Sequence, residues 1–102
     1  MNFSKFQIRI HPLAALDFEH AKNWYNLQKE NLGNEFTLEL EKLFSHIANN
    51  PKQYPKFRNN IRKAVVKRFP YSVFFEIESD FIKIYAIFHN SRRPITWKKR
   101  VK

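Results

Sequence analysis

Between Ile61 and His89 lie three apolar-rich segments separated by only two short breaks, Phe69-Pro70 and Ser79-Asp80. Each segment has the length and the Val, Ile, Phe and Tyr content of a strand, and connections this short join antiparallel neighbours. The segments are therefore read as a meander of Ile61–Arg68, Tyr71–Glu78 and Phe81–His89. With two-residue turns, Ile77 opposes Ile82, Glu76 opposes Lys83, Phe75 opposes Ile84 and Phe74 opposes Tyr85. On the other side Val66 opposes Val73 and Lys63 opposes Glu76.

That register fixes two faces. One carries Ala64, Val66, Tyr71, Val73, Phe75, Ile77, Ile82, Ile84, Ala86 and Phe88, and a face so apolar has to be covered. The other carries Lys63, Val65, Lys67, Phe74, Glu76, Lys83, Tyr85, Ile87 and His89. Lys63, Glu76 and Lys83 would form a charge ladder across the strands. Val65, Phe74, Tyr85 and Ile87 are poorly suited to water, which suggests that a partner covers them. Alternation is strict, so a one-residue slip would exchange the two faces.

The first half supplies the cover. Phe3 to Ile10 alternates as a short strand, and His11-Pro12 opens a helix running to about Asn31, since proline suits a first helical turn. Leu13, Leu16, Ala21, Trp24, Tyr25 and Leu32 recur at helical spacing and are read as its packing stripe. Asp17 and Glu19 near the start and Lys29 near the end suit the helix dipole. Gly33, the single glycine of the chain, is expected to end this helix in a left-handed C-cap. A second helix follows from Asn34 to Ala48, with Phe36, Leu40, Leu43, Phe44 and Ile47 inward, and Asn49-Asn50-Pro51 stops it. So short a connection forces an antiparallel helical hairpin. A connector rich in Pro and Lys spans Pro51 to Asn60. The expected fold is α+β in the order β-α-α-β-β-β. It has an N-terminal strand and a two-helix hairpin packed on one face of a small, mostly antiparallel sheet. Residues 1–102 are read as one domain.

Charge is segregated. Residues 1–50 hold five Lys or Arg against six Asp or Glu, whereas residues 51–102 hold fourteen against three, within a total of +10. A half so basic implies a polyanion or an acidic protein as partner. The chain has no cysteine, which removes disulfides, Cys-ligated zinc and thiol nucleophiles and fits a reducing compartment. With no long apolar run and no secretory h-region at M-N-F-S-K-F, a cytoplasmic protein without a membrane partner is expected.

The residues that could carry chemistry are cationic. His11, His20, His46 and His89 have no metal-ligand spacing, and one glycine rules out a phosphate loop, so no cofactor or metal is expected. A histidine with several Arg or Lys can cleave RNA through its 2′-hydroxyl without metal, supplying a base, a proton and charge on the phosphate. His89 and Arg92, with Lys67 or Arg68 from a neighbouring strand end, would make such a set. The plainer reading is that His89 ends a strand beside a solvated basic turn. Trp24 and Tyr25 are read as core. Trp97, between Pro94 and Lys98-Lys99-Arg100, either locks the tail on the domain or stacks on a base. Lys56, Arg58, Arg62 and Lys63 extend the positive surface, and Arg93 adds to it after the last strand.

Five fragments, in order, resemble the RelE/ParE superfamily of toxins from bacterial type II toxin–antitoxin systems. They are A-x-x-D-x-x-x-A-x-x-W-Y from Ala14, L-G-N-E-F from Leu32, N-P-x-x-Y-P from Asn50, R-x-x-x-x-x-R-F-P-Y-S-V-F-F-E-I from Arg62 and A-I-F-H-N-S-R-R-P-x-x-W from Ala86. The resemblance implies the same helical hairpin on a sheet. It also implies a growth inhibitor, neutralised by a small acidic antitoxin through which alone it would reach operator DNA. RelE-like members are metal-free ribonucleases acting on messenger RNA at the ribosome; ParE-like members poison DNA gyrase. By position Arg92 resembles the RelE-type arginine after the last strand, and Lys67 or Arg68 the one before the central hairpin. Ser72 stands where RelE-like chains often carry arginine, and no tyrosine follows Arg92. The F-P-Y and H-N-S-R-R-P pieces lie closer to the ParE side. A ParE-like gyrase poison is therefore the first expectation. A RelE-like endoribonuclease is the second, and a non-toxic basic nucleic-acid-binding module the third. Partner contacts are expected at Lys63, Phe74, Tyr85, Ile87, Arg93 and Trp97.

Overall fold

A computed structural model describes residues 6–91. The chain runs β1 (Gln7–Ile10), α1 (Pro12–Gln28), α2 (Leu32–Asn49), a 3-10 turn (Pro51–Gln53), β2 (Lys56–Arg58), β3 (Ile61–Val65), β4 (Tyr71–Ile77) and β5 (Phe81–His89). The sheet order is β1-β5-β4-β3-β2, antiparallel except for β1 against β5, which is parallel. This is the expected α+β fold, with one strand, β2, inside what reads in sequence as a connector. Arg62 explains that segment's order: its Nη1 donates to Tyr54 O at 2.6 Å, pinning the loop ahead of β2 to the start of β3.

Pro12 opens α1 as expected, with His11 Nδ1 accepting from Leu13 N–H at 3.0 Å as the N-cap. The hairpin turn differs from expectation. Asn31, not Gly33, takes the left-handed conformation, at φ 70°, and Gly33 is the second residue of α2. What Gly33 provides is room. A Cβ there would sit 2.5 Å from Lys22 O and 2.6 Å from the Asn26 side chain, and Asn26 Oδ1 accepts Gly33 N–H at 2.8 Å. The glycine lets two helix backbones touch.

The packing face of α1 is also corrected. Ala14, Ala21 and Tyr25 are buried, but Leu13, Leu16 and Trp24 are 43%, 51% and 54% exposed. Trp24 is thus no core residue; its ring meets Tyr25 edge-on at 5.1 Å. On α2, Phe36, Leu40, Leu43 and Ile47 face inward as expected. Tyr25, Phe36, Phe69 and Tyr71 interlock, with ring centroids 5.0 to 6.0 Å apart, and tie the hairpin to the sheet.

The meander differs in register twice. β3 pairs with β4 as Ala64 to Val73 and Lys63 to Phe74, not Val66 to Val73 and Lys63 to Glu76. The loop takes up Val66–Pro70, closed by Val66 N–H on Tyr71 O at 2.8 Å, instead of two residues. A slip of two preserves the faces. Between β4 and β5 the expected pairs hold from Ile77–Ile82 to Phe75–Ile84, but Phe74 then opposes Ala86 instead of Tyr85. Tyr85 is the extra residue of a β-bulge, and beyond it the alternation is reversed. Ile87 joins the helix-facing core with Val73, while Ala86 and Phe88 turn to the other face beside Phe74 and Ile61. Phe74, Tyr85 and Ile87, expected on an uncovered surface, are 3%, 4% and 2% exposed. Their burial corrects that placement. No helix is long and apolar enough to cross a membrane among the described residues.

Candidate functional site

β1 ends at Ile10, opposite Ile84, so the last turns of β5 have no strand on that side among the described residues. α1 takes the place of a strand: Asp17 Oδ2 accepts the N–H of Ile87 at 3.1 Å. A backbone donor on that side of β5 is thereby satisfied. Beside this contact lies a groove of about 590 Å³ whose walls include Asp17, His20 and Trp24 from α1, and Tyr71, Ile87 and His89 from the sheet. The bulge puts His89 there, on the helix-facing side and paired with Tyr71, whose ring it meets edge-on at 5.2 Å. Without the extra residue, His89 would point to the opposite face. Ser91 N–H donates to His89 Nδ1 at 3.1 Å, which leaves the remaining ring proton on Nε2. Ser72, buried at 1% exposure, donates its hydroxyl to Asn90 Oδ1 at 2.6 Å and fixes the turn that follows.

Lys67 and Arg68, two of the cations expected to work with His89, lie elsewhere. Lys67 lines a different groove, of about 660 Å³, against Glu39, Leu43 and His46 of α2 and Tyr54. Arg68, held in the left-handed region at φ 73°, donates to Glu35 Oε1 at 2.8 Å and lies 3.6 Å from Glu39 Oε2. The hydrogen bond from Arg68 holds the Glu35 carboxyl below its ordinary range. Both side chains remain in water, so the pair adds little stability. Arg92, Arg93 and Trp97 lie outside the described residues. Lys63 sits half-buried at the basic edge, its ammonium 5.6 Å from the Phe57 ring. β2 covers only Ile61 and Arg62, so the rest of β3's outer edge lacks a strand neighbour among the described residues. Along β2 and this edge, Phe57 is 38% and Val65 59% exposed, interleaved with Lys56, Arg58, Lys63 and Lys67.

The groove draws its walls from three of the fragments named above, those beginning at Ala14, Arg62 and Ala86. The ParE toxin of type II toxin–antitoxin systems, parDE, is the family description that matches, over residues 8–94. The chain belongs to the ParE toxin family. In fold this ParE-family chain is similar to a structure titled as the chromosomal ParDE TA system from P. aeruginosa. The TM-score is 0.73 at 14% identity, over 85% of this chain and 98% of that one. No curated protein matches. The structure also places in the groove two residues that the sequence did not single out for a site. Asp17 and His20 were not recognised as groove residues, although Ala14, Asp17, Ala21 and Trp24 recur at steps of three and four in the first fragment.

Proposed function

We propose that this ParE-family toxin arrests growth by binding and poisoning DNA gyrase in the cytoplasm, and that a small acidic antitoxin neutralises it at the basic edge of β2 and β3. One observation supports the choice of a binding poison over a ribonuclease: the candidate acid–base residues among the described residues are dispersed. His89 lines the groove against α1, Lys67 lines a groove against α2, and Arg68 is engaged by Glu35 and Glu39. General acid–base catalysis needs such groups within hydrogen-bond reach of one phosphodiester. The position where RelE-like chains carry an arginine holds Ser72, buried against Asn90. The antitoxin site is argued from charge. An acidic segment laid along Lys56, Arg58, Lys63 and Lys67 neutralises them and covers Phe57 and Val65 at the same time.

The test is pulse labelling of DNA and protein synthesis in the minutes after induction in a bacterial host, alongside purified gyrase on supercoiled DNA. DNA synthesis should fail first, and the purified protein should stabilise gyrase-cleaved DNA. A prior collapse of protein synthesis would replace this reading with the ribosome-dependent ribonuclease, making Arg92, Lys67 and His89 its catalytic candidates. Growth unaffected by the expressed, folded chain would leave the nucleic-acid-binding module.

A further inference from the structure

The outward side of α1 is apolar in a way the fold does not use. Leu13, Leu16, Trp24 and Leu27 are 43%, 51%, 54% and 83% exposed, and His20 between them is exposed too. Their spacing along the helix is three, four, four and three residues, the seam of a helix that packs against another helix. The order is also palindromic. A second copy of α1 laid antiparallel about a two-fold axis at His20 sets Leu13 against Leu27 and Leu16 against Trp24, while His20 meets its own copy. An isologous interface requires this self-complementarity of its residues.

Charge selects the occupant. Within α1, Asp17 and Glu19 stand against Lys22, a formal −1, while residues 51–102 carry +11. Two copies of a +10 chain repel least where they meet through this near-neutral helix. An acidic partner is drawn instead to the basic strands. We infer that α1 is a homodimer interface, formed antiparallel about His20 through Leu13, Leu16, Trp24 and Leu27. A single helix pair is smaller than the roughly 800 Å² per partner of a standard complex, so the proposed dimer is dissociable, not obligate. His20 and Trp24 also wall the groove that holds His89, so pairing covers one side of that groove and competes with any ligand there. The inference does not depend on the gyrase reading.

Sedimentation velocity of the full chain, from below micromolar to about 100 micromolar, tests it. Wild type should pass from monomer to dimer, and Leu16→Glu should raise the dissociation constant at least about tenfold with its circular dichroism melt unchanged. His20→Lys should weaken pairing and His20→Leu should tighten it. Mixing Leu16→Glu copies with Trp24→Arg copies should restore association, because those two positions face each other only in the antiparallel register. A chain monomeric throughout overturns the proposal, as does a dimer that Leu16→Glu leaves intact. Failure of the mixed copies to associate overturns the register. If wild type stays monomeric and Leu16→Glu weakens capture of a co-expressed antitoxin, the stripe belongs to the antitoxin instead.

Discussion

At the scale of single residues, Gly33 and Tyr85 are fixed by their surroundings. Gly33→Ala drives a methyl group into Lys22 O, a backbone atom that cannot swing aside as a side-chain end would. Overpacking of this kind costs about 1–3 kcal/mol, and a thermal melt should fall by roughly 4–8 °C per kcal/mol. That position was legible in sequence as special, but for the wrong reason. A lone glycine after a helical run suggests a C-cap, whereas close approach between two helices leaves no local trace.

Tyr85 donates to Glu76 Oε1 at 3.1 Å from a buried site. Burial, and then the Glu76 carboxylate, push its phenol up to about 12. Burial raises Tyr25 and Tyr54 in the same direction. The unfolded phenol ionises near 10 and therefore releases its proton before the folded one does. Stability from this group is complete below pH 10 and lost as pH rises from about 10 to 12. Melting temperatures across that window should fall less steeply for Tyr85→Phe than for wild type.

Among elements, the bulge in β5 decides which side chains reach the groove. Asp17→Ala leaves Ile87 N–H without the acceptor it has at 3.1 Å, at a cost of about 1–3 kcal/mol. Asp17→Asn keeps an acceptor oxygen and should lose less, which urea unfolding of both variants would compare. Most elements were legible: the start of α1, the extent of β5 and the break after α2 follow from proline placement and periodicity. Tyr85 was not. Nothing in F-I-K-I-Y-A-I-F-H marks where an extra residue enters, because both sides of this strand are apolar and either alternation fits. The face of α1 failed for a related reason. That helix carries apolar residues on two sides, and spacing alone does not say which one meets the sheet.

For the whole molecule, the proposed recognition rests on the separation of charge between the halves. Affinity for an acidic antitoxin should drop about tenfold or more between low and high salt, since exposed charges are screened within roughly 10 Å at 0.1 M. Calorimetric titration at two salt concentrations would show it, and Lys63→Glu with Lys67→Glu should flatten the dependence. Legibility at this scale was mixed. Charge segregation pointed to an acidic partner and the family fragments to a toxin fold, whereas the placement of His89 and Lys67 in separate grooves, with Arg68 paired to Glu35, became visible only in three dimensions.

The parallel pairing of β1 with β5, Ile8 beside Ile82 and Ile10 beside Ile84, bears on the order of events during synthesis. The first strand to leave the ribosome finds its neighbour only when the last has emerged. Until then β1 has no ladder, and α1 has no Ile87 N–H to receive at Asp17. A nascent chain stopped short of β5 lacks both His89 and the groove around it. Such a chain cannot present that groove early, so whatever the groove binds meets it only once translation has reached the last strand.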